Sequence, residues 1–396
     1  MATASFEGFG LRMVVASDKF KGTLTSAEVA EAVGVGVRRV CPDATVTSVP
    51  VADGGDGTLS AAVAAGYTLH PVTASGPTGE PVRSGYARLG NTAVVELADV
   101  SGLVHLPGGT PAPLTATSYG TGELIAAAVD AGCNRIILGI GGSASTDGGR
   151  GLIDALAGRL CGNNSALCDE NVPKSGGGLD LAALRRRLHG VEVVVACDVD
   201  NPLTGPRGAA AVYGPQKGAT PAQVVELDRR LGEWADLVAR ETGADLRDTP
   251  GAGAAGGVGF AAIALLGAEL RAGIDLVLEM VRFSEKLAGA DLVVTGEGAL
   301  DEQTLHGKAV AGVAAAVRAL RRPTATPDTQ VVAVCGVNKL APEQLKEIGV
   351  SAAYALTDVE PDVRRCIAEP RPLLEELGER IAVEHLTMTR REKGIA

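Results

Sequence analysis

Short apolar runs alternate with segments of helical period along most of the chain. "LRMVVAS" (11–17) predicts a buried strand. "TSAEVAEAVGVGVRRVCP" follows it, with Val29, Val33, Val37 and Val40 near helical spacing, a capping box at Thr25 and Glu28, and Pro42 as the stop. "TVTSVPVADGGDGT" predicts a second strand that ends in a glycine–acid turn, and "LSAAVAAG" a short helix. This β–α–β–α opening predicts a parallel sheet. The texture changes after Gly66, where alternating runs separated by Gly-Pro and Gly-Asn turns predict antiparallel ribbons.

Helix "TGELIAAAVDAG", strand "NRIILGI" and helix "GLIDALAGRL" come next, then a polar, glycine-rich loop or hairpin over 161–178. "VEVVVACDVD" predicts a β-branched strand. A helix is expected after Thr220 as N-cap, with Pro221 in its first position and Gly243 just past its end. Helices then dominate until "ADLVVTGEG", after which "TQVVAVCGVN" and "SAAYAL" resume the strand–helix alternation. A βα opening, a different middle and a βα ending predict an α/β fold in which one domain interrupts another. The expected division is residues 1–70 with 285–396 around an inserted domain of 71–284.

Composition narrows this picture. A chain of 396 residues exceeds one ordinary core. Aromatic residues are only 3% of it, so the interior must be built from Ala, Val, Leu and Ile, as in parallel sheets covered by helices. The net charge of −11, with Lys and Arg scattered, argues against nucleic acid or an acidic membrane surface as partner. Seven cysteines without a CxxC pair read as small buried hydrophobes in a reducing compartment. No signal sequence or membrane-spanning run is evident, and a cytoplasmic location is expected.

"GIGGSASTDGG" (139–149) carries five glycines in eleven positions. Its opening G-x-G-x-x-A imitates the dinucleotide fingerprint, as does "GAGAAG" (251–256). Neither has the required strand, helix, second strand and acid around it. No G-x-x-x-x-G-K-[ST] loop occurs; "HGKAV" (306–310) comes nearest. The five histidines form no HxxxH or HxH pair for zinc, and no G-x-S-x-G elbow is present. What remains is a set of glycine turns bearing acids and cations at predicted strand ends. Asp18, Lys19 and Lys21 follow the first strand, and Asp53 and Asp56 the second. Asp198, Asp200 and Asn201 precede Arg207, Gln216 and Lys217, while Glu297 and Asp301 precede Gln303, Thr304, His306 and Lys308. Ligands of open α/β sheets bind beyond such ends. Together these turns supply what phosphoryl transfer needs: a phosphate cradle, carboxylates, cations and a base.

In this combination and order the motifs "SDKFKGTLTS", "PVADGGDGT", "SYGTGELI", "GIGGSASTDGG", "ACDVDNPLTGPRGAAAVYGPQKGA", "GAGAAGGVGF" and "DLVVTGEGALDEQTLHGKA" resemble those of the bacterial type I glycerate kinase family, which is unrelated to P-loop kinases. The resemblance runs from about Leu11 to about Arg380. It implies phosphorylation of D-glycerate by ATP with Mg²⁺, giving a phosphoglycerate, with 2-phosphoglycerate favoured over the 3-isomer, and ADP. It also implies two α/β domains, a discontinuous Rossmann-like one with parallel strands and an inserted one, with the active site in the cleft between them.

On this reading Gly139, Gly141, Gly142, Ser143, Ser145, Asp147 and Gly148 face the nucleotide, the glycine loop through its N–H groups. Asp198 is expected as base or Mg²⁺ ligand, with Asp200 second. Glu297 and Asp301 are expected on the metal or the substrate hydroxyls. Lys21 pairs with the glycerate carboxylate, Lys19 and Gln303 line the substrate site, and Lys217 or Arg207 meets the transferring phosphate. The protein is expected to be a monomer or homodimer. Three positions depart from the family pattern: Lys19 where Ser is common, Ala299 where Arg is frequent, and Val310 where Pro is usual. The first two motivate an alternative, a kinase for another short hydroxy acid on the same scaffold. A catalytically silent nucleotide-binding protein is the other alternative.

Overall fold

β-Branched and Leu-rich runs too short for helices become strands, and the apolar stripes between them become the helices that cover the sheets. The computed structural model describes residues 11–158, 179–306, 308–320 and 329–386. The polar stretch expected as a loop at 161–178, with Cys161 and Cys168, lies outside the described residues. Strands in chain order are β1 (Arg12–Ser17), β2 (Thr45–Ser48), β3 (Thr68–Ser75), β4 (Pro81–Leu89), β5 (Thr92–Glu96) and β6 (Arg135–Gly139). They continue with β7 (Glu192–Ala196), β8 (Glu269–Arg271), β9 (Leu292–Leu300), β10 (Gln330–Asn338) and β11 (Ala352–Ala355).

The chain divides into two compact units. One takes residues up to Asp53 and resumes at Val277; the other is Gly54–Leu276. The seams expected near residues 70 and 285 both lie later in the chain than these crossings, which fall after Asp53 and after Leu276. The short helix Thr58–Ala64 belongs with the second unit because it packs on β4 and β5.

The discontinuous unit holds a fully parallel sheet in the order β11-β10-β9-β1-β2. Counted within this unit the order is 2-1-3-4-5, a doubly wound arrangement whose direction reverses between β1 and β9. Helix Ser26–Val40 starts with the expected capping box, the Thr25 hydroxyl and Glu28 carboxylate each accepting a backbone N–H. It buries Val29, Val33 and Val37 against Met13, Val15, Leu374 and Leu377. Gly36 lets it approach helix Pro370–Ile381 closely, since a Cβ there would fall 1.9 Å from the Glu375 carbonyl oxygen.

The Gly54–Leu276 unit holds a mixed sheet, β3-β4-β5-β6-β7-β8. β3, β4 and β5 run antiparallel in turn, and β5 through β8 are parallel. The antiparallel ribbon is where the alternating pattern predicts it. Its core joins Val95, Leu97, Ile136, Leu138, Val193 and Val195 to Leu124 and Ile125 of helix Tyr119–Asp130. Helix Pro221–Thr242 begins at the Thr220 cap and ends at Gly243, φ 81°, as its sequence indicates. Among the described residues no helix is long and apolar enough to cross a membrane. Cys41, Cys133, Cys335 and Cys366 are buried, and Cys197 is half-buried.

Candidate active site

In the discontinuous unit the acids gather where the strand order reverses. The Asp18 N–H donates to the Gly296 carbonyl, so the end of β1 is tied to the end of β9. The Asp18 carboxylate accepts the Lys19 N–H at 2.7 Å. Burial pushes it up to about 7, and the neighbouring Asp53 and Glu297 carboxylates push the same way. Burial also raises Glu297, against the Thr304 hydroxyl that donates to it at 2.5 Å. Asp301 accepts the Gln303 N–H at 3.0 Å, and the Gln303 side-chain oxygen accepts the Lys308 ammonium at 2.7 Å. Lys19 is half-buried and Lys21 exposed, on a tight turn in which Phe20 bridges Leu24. That turn passes above Gly298, its Lys21 nitrogen 3.8 Å from where a Cβ would stand.

In the Gly54–Leu276 unit β6 delivers the glycine loop, residues 140–149, which runs into helix Arg150–Leu156. Two other turns of the same unit press on its bare backbone. A Cβ on Gly141 would lie 2.6 Å from the Gly55 Cα, and one on Gly256 would lie 2.1 Å from the Ser145 carbonyl oxygen. The second imitation of a dinucleotide fingerprint is therefore a support for the first. Gly148 donates to the Gly256 carbonyl at 2.9 Å and accepts the Trp234 indole N–H at 3.0 Å.

Asp147 turns inward. Its carboxylate accepts the Ser118 N–H and hydroxyl, at 2.9 and 2.8 Å, the Thr117 hydroxyl and the N–H groups of Gly149 and Gly151. The Ala144 N–H donates to the Ser101 carbonyl. Among the described residues no partner is shown for the N–H groups of Gly141, Gly142 and Ser143, with Gly142 the exposed crest. The hydroxyls of Ser145 and Thr146 are buried without a partner among the described residues.

Lys217, only 3% exposed, enters from the turn Pro215–Lys217. Its ammonium donates to the Ser143 hydroxyl oxygen at 2.8 Å and to the Ser145 carbonyl at 2.5 Å. Burial pushes it down to about 7, with Asp147 pulling the other way. Beyond β7, Asp198 is exposed and accepts the Gly273 N–H at 2.9 Å. Asp200 and Arg207, both exposed, pair with each other at 3.3 Å. Asp198 and Asp200 thus stand on one unit and Glu297 on the other. Among the described residues no three acids, histidines or cysteines stand grouped to hold a metal.

Glu96, which the sequence does not single out, closes β5. Only 5% exposed, it accepts the N–H groups of Gly57 and Leu59 at 3.0 and 2.9 Å and so fixes the "DGGDGT" turn. Burial pushes it up to about 7 against those two donors. Its one signal in the sequence is a charge closing an otherwise apolar strand, "TAVVE".

The glycerate kinase family model matches residues 13–386. The chain is similar to the glycerate kinase of Bacillus subtilis strain 168, at 44% identity over 87% of this chain and 90% of that one. It is 44% identical to the glycerate 2-kinase of Escherichia coli K12, over 79% of this chain and 84% of that one. Its fold is similar to the crystal structure of a Salmonella typhimurium LT2 protein provisionally called glycerate kinase 2. The TM-score there is 0.76 and the identity 36%, over 96% of this chain and all of that one.

Proposed function

Since the chain belongs to the glycerate kinase family, we propose that this phosphotransferase moves the γ-phosphoryl group of ATP to the 2-hydroxyl of D-glycerate, releasing ADP. The observation that carries the nucleotide side is the glycine loop, whose consecutive Gly141, Gly142 and Ser143 N–H groups, around the exposed Gly142, have no partner shown among the described residues. Successive N–H groups of this kind bind phosphate oxygens. Asp147 holds the loop from behind. The substrate side rests on the reversal point between β1 and β9, where α/β sheets of this order bind ligands. Lys21 meets the glycerate carboxylate there, with Lys19 and Gln303 lining the site and Glu297 and Asp301 accepting from the hydroxyls.

Asp198 is the proposed base for the attacking hydroxyl, which needs hydrogen-bond reach in the bound complex. Arg207 is available to the transferring phosphoryl group on exchanging its exposed Asp200 partner. Mg²⁺ would arrive with the nucleotide and neutralise phosphate charge. The chemistry of the donors fits, because Mg²⁺ takes one or two carboxylates plus phosphate oxygens and keeps its waters, so a three-acid cage is not required. Asp200, on the unit that carries the glycine loop, is the carboxylate proposed to hold it. The preference for the 2-hydroxyl follows the Escherichia coli relative, which is named a glycerate 2-kinase.

Phosphorus NMR of the products of ATP, Mg²⁺ and D-glycerate tests this reading. A 2-phosphoglycerate resonance growing with ADP is expected. The 3-isomer alone would correct the regiochemistry, and no phosphoglycerate would overturn the activity.

A further inference from the structure

Lys217 stands out as a cation buried where stability alone gives no reason for one. An apolar side chain would fill the same space without the cost of removing an ammonium group from water. The place of its amine is specific: bonded to the Ser143 hydroxyl oxygen and the Ser145 carbonyl, it spans both sides of Ala144 from a turn more than seventy residues later in the chain. A serine oxygen that accepts from an ammonium has its own O–H left to donate. Ser143 also lies beside the Gly141 and Gly142 N–H groups that have no protein partner shown among the described residues. Ser145 and Thr146 keep their hydroxyls buried and unbonded among the described residues, so those hydroxyls do not fix the loop.

We propose that Lys217 is a positioning residue: it acts through Ser143 and the Ser145 carbonyl to hold residues 141–145 in the form that receives the nucleotide phosphates, and aims the Ser143 O–H at a phosphate oxygen, without touching the nucleotide itself. The proposal rests on the reading of this loop as the nucleotide cradle. It differs from a direct contact to the transferring phosphoryl group in what it moves. A direct contact acts on turnover, whereas a clamp on the cradle acts on ATP affinity and does so through Ser143.

The experiment is steady-state kinetics of the full chain with ATP, Mg²⁺ and D-glycerate, comparing Lys217→Met, Ser143→Ala and the double variant. Each single variant is expected to raise KM for ATP about tenfold while leaving KM for glycerate within about twofold, the worth of one or two charge-assisted hydrogen bonds. The double variant is expected to be no worse than Lys217→Met, because the two residues act as one unit. Three results overturn the proposal: additive effects, an equal rise in both KM values, or a fall in kcat at unchanged KM for ATP. If Lys217→Met does not fold, Ser143→Ala decides alone, and a KM for ATP within about twofold of the unsubstituted protein overturns the clamp. An unsubstituted protein inactive on ATP and D-glycerate strikes the kinase reading and takes the proposal with it.

Discussion

The strand ends of the discontinuous unit and the glycine loop of the Gly54–Leu276 unit solve opposite problems. The first buries Asp18 and Glu297 close to Asp53, so that burial first, and neighbouring charge second, makes those two carboxyls resist ionisation. The second gathers backbone so closely that side chains are excluded, with Gly55 under Gly141 and Gly256 under Ser145. One region is sensitive to charge and leaves space at Gly298, though not at the neighbouring Gly296. The other is sensitive to volume, and its charged side chains face inward to hold it. Each therefore has its own way of failing.

The largest expected effect tests whether charge chemistry also operates on the glycine-loop unit. Asp198→Asn keeps an acceptor for the Gly273 N–H and removes the proposed base. Turnover is expected to fall about 10³-fold, in the range for loss of a general base, as read by a coupled ADP assay. Near-normal turnover would confine the charge chemistry to the strand ends of the other unit. Next comes Gly256→Ala. With φ at 69° and a new methyl 2.1 Å from the Ser145 oxygen, it is expected to cost about 3 kcal/mol or more in urea unfolding. Gly298→Ala, at the acidic strand end, meets nothing closer than 3.8 Å and should stay within about 0.5 kcal/mol. Equal losses would erase the contrast.

A last, modest effect has the opposite sign. Asp18→Asn keeps the Lys19 N–H bond and removes one of the crowded charges, so it is expected to stabilise the protein by about 1–2 kcal/mol at pH 8 while lowering activity. A carboxyl whose folded value is raised contributes stability that is intact below its ordinary 3.8 and is lost as pH rises through about 7. The gain from Asp18→Asn should therefore be absent near pH 3.5, grow between those limits and level off above them. Thermal melts at several pH values check this, and a gain that shrank with rising pH would reverse the assignment.

Most of the fold was legible because the signals were local. The Thr25–Glu28 box, the Thr220–Pro221 start with its Gly243 stop, and the β-branched runs of β6, β7, β9 and β10 each lie within a few neighbouring residues. β8 was not legible: three residues, Glu269–Arg271, carry too little pattern to separate from the helices around them. At the site the sequence marked the glycine loop and the acids at the strand ends. It could not tell that Asp147 faces inward or that Glu96 holds the neighbouring turn, because both depend on partners 29 to 39 positions away. It also suggested phosphate as the reason for the loop's bare backbone. Much of that bareness is needed for other turns of the protein, and the N–H groups around the exposed Gly142 are the ones proposed for a ligand.

The division of the chain has a consequence for its synthesis. β1 and β2 leave the ribosome first, yet β1 meets its other neighbour, β9, only after the whole of 54–276 has been made. At roughly 5–20 residues per second the two strands wait for some tens of seconds as a parallel pair too small to be stable alone. The interposed unit, with a sheet and core of its own, can fold during that interval. Nascent chains stalled before β9 should thus carry one finished unit and an open, apolar N-terminal segment, a natural client for a chaperone.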